Sequence, residues 1–194
     1  MLLLYAIAIG LLVGRLAGGR VRNLERVQIT WWGLAIGGLL VQLVLFAPPV
    51  AERIGAAGPA IYVLSTIAVL AALMRNLEQP GFTLIAIGAV ANLIPVLANG
   101  GAMPSDPAAW LALTGAAELP VSGFSNSVLI GPETNFPFLG DVFVLPRPWP
   151  LANVFSIGDV LIGIGAAWFL IRAMRVPAES RAHEQLPSPT TASR

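Results

Sequence analysis

The sequence has no cysteine and no lysine, and only 11% of its 194 residues are charged. Without cysteine, disulfide bonds, thiolate zinc sites and cysteine nucleophiles are excluded. Without lysine, Schiff-base and lysine general-base chemistry is excluded as well. The single histidine, His183, lies in a polar tail, with no second histidine or cysteine as a metal-ligand companion. A net charge of +1 is too small to indicate a nucleic-acid partner.

Hydrophobic residues make up 56% of the chain, and its mean hydropathy is +0.79. A soluble surface of this size needs more polar cover. Five apolar stretches approach the length of about 20 residues that a helix needs to cross a bilayer. We therefore predict an all-α integral membrane protein with about five transmembrane helices in a domain of residues 1–175, the spans being about 2–17, 31–50, 56–74, 81–98 and 151–171.

The arginines predict the orientation of these spans. Nine of the eleven fall in segments that face one side if the N-terminus is outside, and only Arg53 and Arg147 face the other side. Cytoplasmic loops carry the excess of basic residues. We expect a multi-pass protein of the cell membrane, in contact with membrane lipids, with its N-terminus outside and a disordered cytoplasmic tail at 176–194.

The segment 99–150 is predicted to form an outer cap between the fourth and fifth spans. It contains eight prolines and many aromatic residues, and aromatic residues are enriched where a membrane meets water. Asp106 is placed to cap a short helix, with Pro107 at its first position and its end near Ala117.

Glycines at four-residue spacing predict helix contacts. In lipid, such spacing lets two helix backbones approach closely, although glycine is also common in membrane helices for other reasons. We expect the first two spans to pack together, or the chain to form a homo-oligomer or meet a membrane protein partner, through Gly10, Gly14, Gly18, Gly33 and Gly37.

Polar residues inside apolar spans are candidate site residues, and Asp159 is the strongest of them. Ser156 and Asp159 have the spacing of a capping box, which would give Asp159 a purely structural role. A helix 157–171 would be only about 22 Å long, however, so its start would lie below the outer boundary of the membrane. Asp159 would then also line a binding cavity, with Asn92 of the fourth span nearby.

Two further sequence features offer alternatives. Asn99, followed by two glycines, fits either a helix C-cap or a place where backbone approaches a ligand. Asp141 and Asp159 each follow a glycine, and intramembrane aspartyl proteases use a Gly-x-Gly-Asp element with a second aspartate. Here that element reads Ser-x-Gly-Asp, and Asp141 lies in a proline-rich loop.

Several of these elements, in this order, resemble the bacterial membrane family called domain of unknown function 5317. The matching residues are Asn92, Asn99-Gly100-Gly101, Met103-Pro104, Thr134, Leu139-Gly140-Asp141 and the block Phe155–Ile162. The resemblance covers most of residues 1–175. It implies a multi-span bacterial membrane protein and brings no assigned activity.

Three functions remain open from the sequence. The first is binding or movement of a small ligand or lipid headgroup at an outer-leaflet cavity formed by Asn92, Asn99, Asp141, Ser156 and Asp159. The second is a non-catalytic scaffold or accessory subunit, and the third is an aspartyl-type hydrolase. A non-enzymatic role is favoured, and no catalytic residue, metal ligand or cofactor is assigned.

Overall fold

A computed structural model describes residues 2–116 and 125–175 of the chain. The fold is mostly helical. The helices are α1 Leu2–Leu16, α2 Trp32–Leu45, α3 Pro48–Ala51, α4 Gly58–Met74, α5 Phe82–Ala98, α6 Pro107–Thr114 and α7 Ile157–Ala173. The strands are β1 Met103–Ser105, β2 Ser127–Leu129, β3 Phe143–Leu145 and β4 Asn153–Phe155, and 3-10 turns occupy Val21–Arg26, Gly55–Ala57 and Pro137–Leu139. The short strands of the described residues lie between α5 and α7.

The long helices follow a spatial order that differs from their order in the chain. Helix α1 packs against α7, α7 against α5, α5 against α4, and α4 against α2. The buried hydrophobic core is small and contains several alanines, whereas many large apolar side chains of α1 and α2 are exposed. This row of helices therefore leaves most of its apolar surface uncovered.

The lengths of the helices agree only in part with the predicted spans. One helical segment of the described residues, Gly55–Met74, is long and apolar enough to cross a membrane. Helices α1, α2 and α5 are apolar but have 15, 14 and 17 residues. The predicted span 31–50 stops at Leu45 because Pro48 and Pro49 follow, and proline cannot continue a helix without losing a hydrogen bond.

Glycines let α5 and α7 cross at very short distance. A methyl group added at Gly88 would lie 2.5 Å from the carbonyl oxygen of Gly158, and one added at Gly165 would lie 2.6 Å from that of Gly81. Gly81 and Gly88 are seven residues apart in the sequence, as are Gly158 and Gly165. The close contact between the two helices therefore repeats after two turns. Only glycine leaves the backbones room to approach this closely.

The glycines of α1 contact α7, which differs from the expected packing of the first two spans. A methyl group on Gly10 would meet Ala167 at 2.9 Å, and one on Gly14 would meet the Met174 sulfur at 2.7 Å. Helix α2 instead approaches α4 through Gly38, whose added methyl would meet the Ser65 carbonyl oxygen at 2.9 Å. Gly18, Gly33 and Gly37 face open space, so the proposed partner contact through them stays a prediction.

The cap segment contains the predicted short helix and also short strands that were not predicted. Asp106 caps α6 by accepting a bond from the Ala108 amide, as predicted. The helix ends at Thr114, before the expected Ala117, because Gly115 takes a left-handed conformation with φ 75°. Strand β1 pairs in parallel with β2, β3 pairs antiparallel with β4, and Ser105 forms a parallel bridge with Asp141. The predicted tail 176–194, Ala117 and His183 lie outside the described residues.

Candidate functional site

Helix α7 begins with the predicted capping box. The Asp159 amide donates to Ser156 Oγ at 3.0 Å, and the Ser156 amide donates to Asp159 Oδ2 at 3.0 Å. Residues 153–155 lead into the helix as strand β4, so the approach to it is non-helical. The capping box leaves Asp159 Oδ1 and the Ser156 hydroxyl hydrogen available for a third residue.

Asn92 of α5 is that third residue. Its Nδ2 donates to Asp159 Oδ1 at 3.0 Å, and its Oδ1 accepts from Ser156 Oγ at 2.7 Å. The backbone at Gly158 lies directly against the Asn92 amide, so a side chain at Gly158 would displace it. The sequence-predicted residues Asn92, Ser156 and Asp159 thus form one hydrogen-bonded network that joins α5 to the start of α7.

Asp141, in the cap, lies near this network without a side-chain hydrogen bond to it. Its amide donates to the Pro104 carbonyl oxygen at 2.7 Å, and its carbonyl oxygen accepts from the Asp106 amide at 3.0 Å. Burial, and then the charge of the neighbouring Asp159, raise the pKa of the Asp141 carboxyl to about 7. A carboxyl group with this pKa exchanges its proton near neutral pH.

Two further residues, which no sequence motif marks, lie close to this network. Tyr62 of α4 lies close to the side chain of Asn126 and within electrostatic range of Asp141 and Asp159. A tyrosine in an apolar helix is a weak sequence signal, and Asn126 precedes β2 in a loop with no recognisable motif. Tyr62 approaches the start of α7 from α4, and Asn126 approaches it from the cap.

Ser105 carries an unusual buried hydroxyl. The residue is fully buried, and its Oγ has no hydrogen-bond partner among the described residues. Its bridge to Asp141 places the two side chains on the same face of the paired strands, because paired positions share a face. Buried polar atoms without a partner are rare, and this one belongs to the residue that is paired with Asp141. We call the set Tyr62, Asn92, Ser105, Asn126, Asp141, Ser156 and Asp159 the polar cluster.

Asn99 lies apart from the polar cluster. It is seven residues beyond Asn92, which corresponds to about 10 Å along α5. Its Nδ2 donates to the carbonyl oxygens of Pro95 at 2.7 Å and Asn135 at 2.9 Å, and its Oδ1 accepts from the Asn135 amide at 2.9 Å. Asn99 thus ends α5 and holds the cap, and it also lines an open cleft of about 450 Å³ with residues 128–129 and 131–135.

The chemistry of the polar cluster follows from its two carboxyl groups. Within residues 2–116 and 125–175, no three His, Cys, Asp or Glu side chains group as metal ligands. Both oxygens of Asp159 already accept hydrogen bonds, whereas the Asp141 carboxyl has no hydrogen-bond donor among the described residues. The cluster is therefore suited to a group that donates hydrogen bonds or carries positive charge.

Comparisons with known proteins identify relatives without an assigned activity. The profile described as "Family of unknown function (DUF5317)" matches residues 26–171. A protein of Thermotoga maritima described as uncharacterized is 33% identical over 115 residues, which cover 54% of this chain. The match spans 63% of that relative's length. No solved structure matches the chain.

Proposed function

This chain belongs to the DUF5317 family, and we propose that it is a multi-pass membrane protein whose polar cluster binds a small cationic ligand at the outer leaflet. The proposal is carried by one observation, the buried and unpartnered Ser105 Oγ on the strand face that Ser105 shares with Asp141. An ammonium group or a lipid headgroup that carries one would supply the missing donor to both residues.

Uncovered apolar surface supports the membrane setting. Leu39, Leu43 and Val44 of α2 are 54%, 70% and 56% exposed, and they belong to a much larger set of exposed apolar side chains. A monomeric soluble protein does not leave a continuous apolar face of this extent in water. Helices of 14 to 17 residues are about 21–26 Å long, so the surrounding bilayer would thin locally or the helix ends would extend.

Charge and aromatic character support the choice of a cationic ligand. Asp141 and Asp159 are the only charged side chains in the polar cluster, and both are acidic. The Tyr62 ring, which packs edge-on against Phe46 at 5.7 Å, adds an aromatic face that attracts cations. The side chains of Tyr62, Asn92 and Asp141 are half-buried, which leaves a ligand access to them.

Native mass spectrometry of the full chain in mild detergent tests the proposal with two probes. Phosphatidylethanolamine and free ethanolamine share the ammonium group, and comparing them separates a lipid headgroup from a soluble amine. We expect a discrete adduct on the wild-type protein. Its intensity should fall about tenfold in Asp141→Asn, because the ion pair between the ammonium group and the Asp141 carboxylate is lost.

The matched control is Glu52→Gln, which removes an exposed carboxyl group outside the polar cluster and should leave the adduct unchanged. Adducts of equal intensity in the wild-type protein and in Asp141→Asn would overturn the proposal. Binding of the lipid but not of free ethanolamine would assign the site to headgroups, and the reverse result would assign it to soluble amines.

A scaffold role is the second candidate, supported by Gly33 and Gly37. Both face open space on α2, the helix at one end of the row, and this spacing suits a second helix in lipid. The mass of the purified protein distinguishes the roles, since a scaffold or homo-oligomer that uses this face would dissociate in Gly33→Leu/Gly37→Leu. A hydrolase finds less support, because both oxygens of Asp159 are already held by donors.

A further inference from the structure

The loop between α1 and α2 is fastened to two helix ends at the far side of the bundle. The Arg20 amide and Asn23 Nδ2 both donate to the Met174 carbonyl oxygen, at 2.9 and 2.7 Å. At the other end of the loop, the fully buried Asn76 exchanges two bonds of 2.7 Å with the backbone of Thr30. The loop is therefore held in place about 25 Å from the polar cluster, the length of α7.

Arginines crowd this end of the molecule with little compensating charge. Among the described residues of the adjoining segments, Glu25 and Glu78 are the only acidic ones. None of the arginines makes a salt bridge to a residue within the part of the chain that the structure describes. We call this set the arginine band, and all its members are exposed: Arg15, Arg20, Arg22, Arg26, Arg75, Arg172 and Arg175.

The fastened loop brings these arginines together from distant parts of the sequence. Arg20 bonds to the residue before Arg175, and Thr30 bonds to the residue after Arg75. The loop thus spans from the end of α7 to the end of α4. Because hydrogen bonds fix its backbone, less conformational freedom is lost when its guanidinium groups bind an anion.

Two exposed tryptophans follow the arginines at the start of α2. Trp31 and Trp32 are 55% and 63% exposed, and with Gly33 and Leu34 they line an open groove of about 490 Å³. Tryptophan side chains favour the level of the lipid headgroups and glycerol. Positive charge and an apolar aromatic groove are therefore adjacent on one surface.

We propose that the arginine band and the tryptophan groove together form a binding surface for anionic phospholipids. The guanidinium groups bind headgroup phosphates, for which their planar geometry is suited. The groove receives the glycerol and the first methylenes of the acyl chains. Clusters of four or more basic residues beside a membrane helix favour anionic over zwitterionic lipids.

The test is a competition on the full chain in neutral detergent, read by native mass spectrometry. Phosphatidylglycerol and phosphatidylcholine with identical acyl chains are supplied in equal amounts. We expect wild-type protein to prefer phosphatidylglycerol, and the triple variant Arg20→Gln/Arg22→Gln/Arg26→Gln to lose about tenfold or more of that preference. Arg20→Lys/Arg22→Lys/Arg26→Lys keeps the charge and should retain most of it.

Arg53→Gln/Arg147→Gln is the matched control, since both arginines are exposed and lie outside the arginine band. It should leave the preference unchanged. Equal binding of the two lipids by wild-type protein, or full preference in the glutamine triple variant, would overturn the proposal. If the triple variant has a lowered melting temperature, Arg22→Gln alone is measured, and an unchanged lipid ratio there counts against the proposal.

Discussion

At the scale of single residues, two buried serines differ in whether their hydroxyl groups are hydrogen-bonded. Ser156 accepts from Asp159 and donates to Asn92, whereas Ser105 has no partner within the described residues. Both are fully buried. Losing a satisfied buried hydroxyl is costly, but losing an unsatisfied one removes a desolvation penalty. The pair therefore contrasts the structural role of Ser156 with the binding role that we propose for Ser105.

Replacing these serines should give contrasting stabilities. We expect Ser156→Ala to lower the free energy of unfolding by about 1–3 kcal/mol, because the helix cap and the Asn92 bond are both lost. Ser105→Ala should change it by less than about 0.5 kcal/mol or stabilise the protein. Thermal unfolding in detergent measures both. If Ser105→Ala is as damaging as Ser156→Ala, the Ser105 hydroxyl has a structural partner.

The pKa of Asp141 predicts how stability depends on pH. Its pKa rises from 3.8 to about 7 on folding, so the folded state holds a proton that the unfolded state releases. The contribution of the Asp141 carboxyl to the free energy of unfolding is therefore fully present below about pH 4, and it is lost as the pH rises through 7. We expect the melting temperature to fall by about 5 °C between pH 5 and pH 8.

The variant Asp141→Asn should remove this part of the pH dependence, because the amide carries no ionisable proton. Glu52→Gln serves as control and should keep it. A wild-type melting temperature that rises between pH 5 and pH 8, or a slope that Asp141→Asn leaves unchanged, would show that another group dominates.

At the scale of helices and strands, the sequence predicts features that depend on neighbouring residues. It does not predict contacts between segments that are distant in the chain. The caps at Asp106 and Ser156 were predicted correctly because a cap depends on residues within one helical turn. The break after Leu45 and the end of α6 at Gly115 are marked in the sequence by proline and glycine, which act locally. Tyr62, Ser105 and Asn126 were missed, because β1, β2 and α4 meet only through the tertiary fold.

The glycine contacts between α5 and α7 lead to a helix-scale prediction. Gly158→Ala should lower the free energy of unfolding by about 2 kcal/mol or more, since the new methyl group would overlap the Asn92 side chain and the Gly88 carbonyl. Gly37→Ala has open space around it and should stabilise α2 by up to about 1 kcal/mol. Thermal unfolding of the two single variants compares them, and equal melting temperatures would contradict the packing.

At the scale of the whole molecule, the proposed topology places the polar cluster and the arginine band on opposite sides of a membrane. The two surfaces lie at opposite ends of α7. If the cap is outside, the loop between α1 and α2 is in the cytoplasm. The positive-inside bias favours this orientation, and the ligands of the two surfaces would then come from different leaflets.

Single cysteines test the topology on a clean background, because the natural sequence has none. Glu133→Cys in the cap and Glu25→Cys in the arginine loop are both at exposed positions. An impermeant maleimide applied to intact cells should label Glu133→Cys and spare Glu25→Cys until the cells are lysed. The reverse labelling pattern would invert the topology, and labelling of both in intact cells would exclude a sealed multi-pass arrangement.

The contact between α1 and α7 also determines when the molecule can be assembled during synthesis. Tyr5 at one end of this contact donates to the carbonyl oxygen of Pro150, 145 residues later. Ribosomes add about 5–20 residues per second, so α1 waits roughly 10–30 s for its neighbour. During that interval Gly10 and Gly14 have no helix against them, and in the proposed membrane setting α1 would depend on lipid or on the cell's insertion machinery. Assembly of the row of helices is therefore delayed until α7 has left the ribosome.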